Sequence, residues 1–81
     1  MVHLVAARVT SGYTVWLRFS DGVEGRVDLG PELHGPVFEP LKDPEEFNRL
    51  ALDPELGTIA WPNGADFAPE FLYAAVKRAA A

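Results

Sequence analysis

The sequence predicts an α+β domain, with an N-terminal three-stranded antiparallel meander plus a later strand in one small sheet, covered by short helices and a C-terminal helix. Three observations predict it. Apolar residues alternate along Tyr13 to Phe19 and again along Val23 to Leu29, the period of a half-buried strand. All seven prolines lie beyond Gly30, so a regular sheet cannot run through the rest of the chain. After Pro69, the residues Phe71, Leu72, Ala75, Val76 and Ala79 recur at helical spacing and make one apolar stripe.

The first strand is expected over Val2 to Val9, with both faces rather apolar, ending before Ser11-Gly12. In the second, Tyr13, Val15, Leu17 and Phe19 share one face, and Thr14, Trp16 and Arg18 the other. Ser20-Asp21-Gly22 then leads into a third strand over Val23 to Leu29. A two-residue loop would set Phe19 opposite Glu24. A three-residue loop with a left-handed Gly22 sets Phe19 opposite Val23, Val15 opposite Val27 and Tyr13 opposite Leu29, which keeps apolar faces together. The same register puts Arg18 opposite Glu24 and Trp16 opposite Arg26, cross-strand pairs worth roughly 0.2–1 kcal/mol each.

Beyond the meander, Leu29 to Leu33 suits one helical turn ended by Gly35-Pro36, and Val37-Phe38 is expected to return apolar bulk to the core. Asp43-Pro44-Glu45-Glu46 reads as a helix start, with Asp43 as N-cap, Pro44 in the first helical position and Glu46 completing a capping box. That helix is expected to end near Leu50. Asp53 to Gly57 makes a turn before a strand at Thr58 to Trp61. Asn63-Gly64 suits the two central positions of a turn needing positive φ, and Asp66 is expected to accept from backbone donors near the start of the last helix.

Composition bounds function. The 81 residues make a single domain, 1–81, with 48% hydrophobic and 23% charged residues, the make-up of a folded chain. It has no cysteine, hence no disulfide or thiolate metal site, and no apolar run long enough to span a bilayer, so a cytoplasmic protein without membrane association is expected. The net charge of −5 is uneven: Asp28 to Glu70 holds ten acids against the two bases Lys42 and Arg49. That balance predicts no direct nucleic-acid binding; it reads first as a solvated acidic surface, with a basic protein partner as the alternative.

Catalytic chemistry finds little support. His3 and His34 have no partner at zinc-ligand spacing, Ser11 and Ser20 sit in strand connections outside G-x-S-x-G, and no phosphate-cradling glycine loop occurs. Neither metal nor cofactor is expected. The stretch Trp61-Pro62-Asn63-Gly64-Ala65-Asp66, with Tyr73 on the following helix, reads first as a turn that tucks Trp61 against that helix; its functional reading is a candidate interaction surface of Trp61, Pro62, Asn63, Gly64, Asp66 and Tyr73. The alternative is a small-ligand or enzymatic pocket around Trp61, Asn63, Asp66 and Tyr73.

The runs Gly35-Pro36-Val37-Phe38-Glu39-Pro40-Leu41, Asp53-Pro54-Glu55-Leu56-Gly57-Thr58-Ile59, Trp61 to Asp66 and Pro69 to Tyr73, with the Tyr13 to Phe19 strand and its Ser20-Asp21-Gly22 turn, resemble the small bacterial family called domain of unknown function 2442. The resemblance implies an antiparallel sheet covered by short helices. It also implies a gene often placed beside a second small protein, in pairs proposed to be toxin and antitoxin. Some relatives carry an added C-terminal helix-turn-helix; with none before Ala81, operator binding is not carried over. The resemblance supplies no catalytic residue. A non-catalytic protein-interaction module is therefore expected, antitoxin-like, partnered by a neighbouring gene product or by a second copy of itself.

Overall fold

A computed structural model describes residues 2–80. The meander is present as β1 (Leu4–Ser11), β2 (Thr14–Phe19) and β3 (Glu24–Asp28), antiparallel in that spatial order. The three-residue loop sets its register. Phe19 N–H donates to the Val23 carbonyl at 2.8 Å and Gly22 N–H to the Phe19 carbonyl at 2.9 Å, with Gly22 at φ +91°. Val15 then faces Val27, Trp16 faces Arg26 and Arg18 faces Glu24, as side-chain sorting predicts. Val15, Leu17 and Phe19 are buried on the inner face, and Arg8, Arg18 and Arg26 stay exposed on the outer one.

The later strand departs from expectation. Instead of joining the meander, β5 (Thr58–Ala60) pairs with β4 (Ala51–Asp53) in a separate two-stranded ladder, Leu52 opposite Ile59. The second sheet abuts the first where Leu4 N–H donates to the Gly57 carbonyl at 3.0 Å. Three residues are too few to display a period, which is why β4 is invisible in the sequence.

Between the sheets the proline-rich chain makes two 3-10 turns, Gly30–Glu32 and Glu39–Lys42, and then α1 (Pro44–Phe47). Asp43 caps α1 as expected, its carboxylate accepting from Glu45 N–H at 3.0 Å. The capping box does not close: the Glu46 carboxylate lies 3.5 Å from Arg49, one turn on. The helix also ends at Phe47, short of Leu50. Val37 is 47% exposed, so Phe38 alone of that pair returns to the core, against Phe67 at 4.9 Å between ring centroids. The second 3-10 turn, unanticipated, buries Leu41.

α2 (Pro69–Ala80) closes the fold over β3, burying Leu72, Ala75 and Val76. A Cβ on Gly25 would stand 3.1 Å from Val76 Cγ1, so this glycine lets the helix approach the strand closely. No described helix is long and apolar enough to cross a membrane.

Candidate functional site

Trp61 is 4% exposed and lies inside the core, between Phe47 at 5.6 Å and Phe67 at 5.9 Å. Its indole Nε1–H donates to the Phe47 carbonyl at 2.9 Å, so the polar edge is satisfied inside the protein. The aromatic chain continues from Phe67 to Phe71, 5.7 Å apart, and from Phe47 to Tyr13, 5.2 Å apart. Tyr13 in turn donates its hydroxyl proton to the Lys42 carbonyl. One tryptophan thus joins the second sheet, α1 and the base of α2.

The turn after Trp61 repeats the turn after Phe19. Trp61 N–H donates to the Ala65 carbonyl at 2.9 Å and Gly64 N–H to the Trp61 carbonyl at 3.0 Å, with Gly64 at φ +91°. Asn63 does not share the positive φ expected of it; among described residues only glycines have one. Pro62 explains the difference, because its fixed negative φ suits the first central position of a turn whose left-handed residue comes third. In both turns the residue before the glycine folds its side chain back: Asp21 Oδ1 accepts from Val23 N–H and Asn63 Oδ1 from Ala65 N–H, each at 3.0 Å. Asn63 Nδ2 also donates to the Val37 carbonyl at 2.9 Å. Asp66, exposed, pairs through its backbone with Ala60 in an isolated bridge, and α2 starts later, at Pro69.

Tyr73 stands apart from this turn. Its ring meets Phe19 edge-on at 5.1 Å, and its hydroxyl donates to Asp21 Oδ2 at 2.7 Å, latching α2 to the β2–β3 loop. The Tyr73 hydrogen bond, helped by Val23 N–H, holds the Asp21 carboxyl below its usual range; the same bond pushes the Tyr73 phenol up. Asp21, with its lowered folded pKa, contributes stability above its unfolded value of about 3.9, lost as pH falls through the folded one. Tyr73, with its raised pKa, contributes stability below about pH 10, lost as pH rises through the folded value. Tyr73→Phe should therefore lower the melting temperature across the neutral range, with the gap to wild type closing in acid. A gap unchanged down to pH 2 in melts followed by circular dichroism would remove the latch.

The six candidate residues thus serve different places. Pro62, Asn63, Gly64 and Asp66 present an exposed edge, while Trp61 is turned inward. Among the described residues Trp61, Asp66 and Tyr73 line separate depressions. Trp61 and Pro62 line one depression with Arg49 and Asp53, Asp66 lines a second with His34 and Phe38, and Tyr73 a third with Val2 and Phe19. Among described residues no group of acidic and histidine side chains is placed to hold a metal ion.

A grouping that sequence reasoning missed lies on the outer face of the first sheet. Arg8 faces Trp16 and Trp16 faces Arg26, making one row across three strands. The Arg8 guanidinium carbon lies 4.8 Å from the Trp16 ring centroid, and Trp16 Nε1–H donates to Glu24 at 3.3 Å. The sequence shows the Trp16–Arg26 half of this row. Arg8 enters it only through the bulged register of β1, which no local pattern announces.

A family model described as "Protein of unknown function (DUF2442)" matches residues 4–78. Among solved structures the chain is similar to "Putative DNA Binding Protein NE0471" from Nitrosomonas europaea, with 28% identity and a TM-score of 0.85. The match covers 99% of this chain and 52% of that one, so the chain spans about half the length of that relative. No curated protein matches. The expectation of no direct nucleic-acid binding is contradicted by this neighbour, which is named a "Putative DNA Binding Protein" and shares this chain's fold over 52% of its own length. That expectation weighed charge along Asp28 to Glu70, whereas a folded surface groups charge by face: Arg8, Arg18 and Arg26 share the outer face of the first sheet with Glu24.

Proposed function

We propose that this chain, which belongs to the DUF2442 family of proteins of unknown function, is a non-catalytic protein-interaction module. The observation that carries the reading is the state of charge in the middle of the chain. Its two cations are already engaged, Lys42 with Glu39 at 3.1 Å and Arg49 with Glu46 at 3.5 Å. Asp43, Glu45, Glu55 and Asp66 are exposed, and so are two large apolar residues, Val37 at 47% and Leu56 at 53%. Such a surface complements a basic partner with apolar anchors.

Co-expression with the product of the adjacent gene tests this. The tagged chain should co-elute with that product, and combined Glu39→Gln, Glu45→Gln and Glu55→Gln should weaken the complex about tenfold or more, since each exposed charge contact is worth up to about 1 kcal/mol. An antitoxin-like role adds that the partner expressed alone arrests growth and the pair does not. Absence of any complex, or a complex indifferent to the three neutralised acids, contradicts the reading.

A second reading, direct contact with nucleic acid, is favoured by the printed name of the neighbour and by the arginine row on the outer sheet.

A further inference from the structure

We propose that the outer face of the first sheet is a binding site for single-stranded nucleic acid, with Arg8 and Arg26 each taking a backbone phosphate and Trp16 a base between them. This rests on the second reading above and names the form of nucleic acid and the residues. The first support is charge. Glu24, the nearest carboxylate of the row, is engaged by Trp16 Nε1–H at 3.3 Å and approached by Arg18 at 3.9 Å. Arg8 and Arg26 have no carboxylate within 4.0 Å among described residues, and both are exposed. They flank the indole from neighbouring strands, so their backbones lie about 10 Å apart, two strand spacings.

The second support is shape. A depression of about 520 Å³, which Glu24 also lines, runs from Arg8, Trp16 and Arg26 over the edge of β3 to Val76 and Ala79 of α2. Gly25 lines it too, where the missing side chain lets Val76 approach the strand. Cations on the rim, an aromatic ring in the wall and an apolar far side suit a phosphodiester chain with one unstacked base. Duplex fits poorly. Its stacked bases offer no free ring face to the indole, and two cations, of which Arg8 already lies over the Trp16 ring, are too few for the several phosphate contacts on which duplex binding depends. An acidic peptide would satisfy the arginines but give Trp16 no ring to meet.

Fluorescence anisotropy of a labelled eight-nucleotide thymidine strand, between about 0.05 and 0.2 M salt, tests the site. Two phosphate contacts predict a slope of log K against log salt of roughly −1.4, and Arg8→Ala or Arg26→Ala should each weaken binding and reduce the slope by about 0.7. Trp16→Ala should weaken binding roughly tenfold with the slope unchanged, and Trp16→Phe, which keeps a ring, should recover most of the loss. Unaltered circular dichroism melts for the arginine variants separate lost contact from lost fold. Tighter binding to a duplex of equal length, or displacement of the strand by hexaglutamate at equal concentration, would overturn the single-strand assignment while leaving a binding face. No binding of either nucleic acid would overturn both this inference and the second reading.

Discussion

Trp61→Ala is expected to cost about 3–5 kcal/mol of unfolding free energy, the range for deleting a large buried aromatic. Trp61 touches Phe47 and Phe67 and donates to the Phe47 carbonyl, so its removal opens a cavity between α1, β5 and the base of α2 and takes from that carbonyl one of its two donors, Leu50 N–H at 3.3 Å being the other. A domain of this size has only about 5–15 kcal/mol in hand, so the variant should sit close to its unfolding midpoint under mild conditions. Trp61→Phe divides the effect: the ring largely fills the space, and the lost hydrogen bond leaves about 0.5–1.5 kcal/mol, since Leu50 N–H still donates to the carbonyl. Urea titration followed by circular dichroism measures both. A cost below about 1 kcal/mol for Trp61→Ala would contradict the placement of this residue in the core.

The next largest effect belongs to the repeated turn. Gly64→Ala and Gly22→Ala should each cost about 1–2 kcal/mol, because both glycines stand at φ +91°, where a side chain strains against its own backbone. A Cβ at either position meets nothing within 4 Å, so the cost is conformational and owes nothing to packing. Shared geometry predicts similar costs for the two. A neutral result at Gly64, with Gly22 costly, would mean that the second turn is not held as the first is.

The meander was legible because its inner face is a period-two signal that only one hairpin loop satisfies, so Val15 could be placed opposite Val27 before any coordinates. α2 was legible for the same reason, through a helical stripe opened by Pro69. The second sheet was not: Ala51, Leu52 and Asp53 show no pattern of their own and become a strand only because Thr58 to Ala60 returns beside them. The turn after Trp61 was half legible. Gly64 announces positive φ, but which way Trp61 faces depends on Phe47 and Phe67, distant in sequence. The arginine row was hidden for a related reason, since Arg8 reaches Trp16 only through a shifted β1 register.

The two proposed surfaces differ in chemistry. The middle of the chain is acidic with exposed Val37 and Leu56, and the outer sheet gathers Arg8, Arg18 and Arg26 round Trp16. One molecule could thus meet a basic protein at one surface and a phosphate chain at the other, and salt should weaken both contacts.

The most direct test of the interaction-module reading is the native mass of the tagged chain captured from its own cells, at about 0.1 M salt and again at about 0.5 M, where exposed charges are largely screened. The reading predicts a fixed-ratio complex with a second, basic polypeptide at the lower salt, loosened at the higher. Recovery of the chain with no second polypeptide at either salt would contradict it.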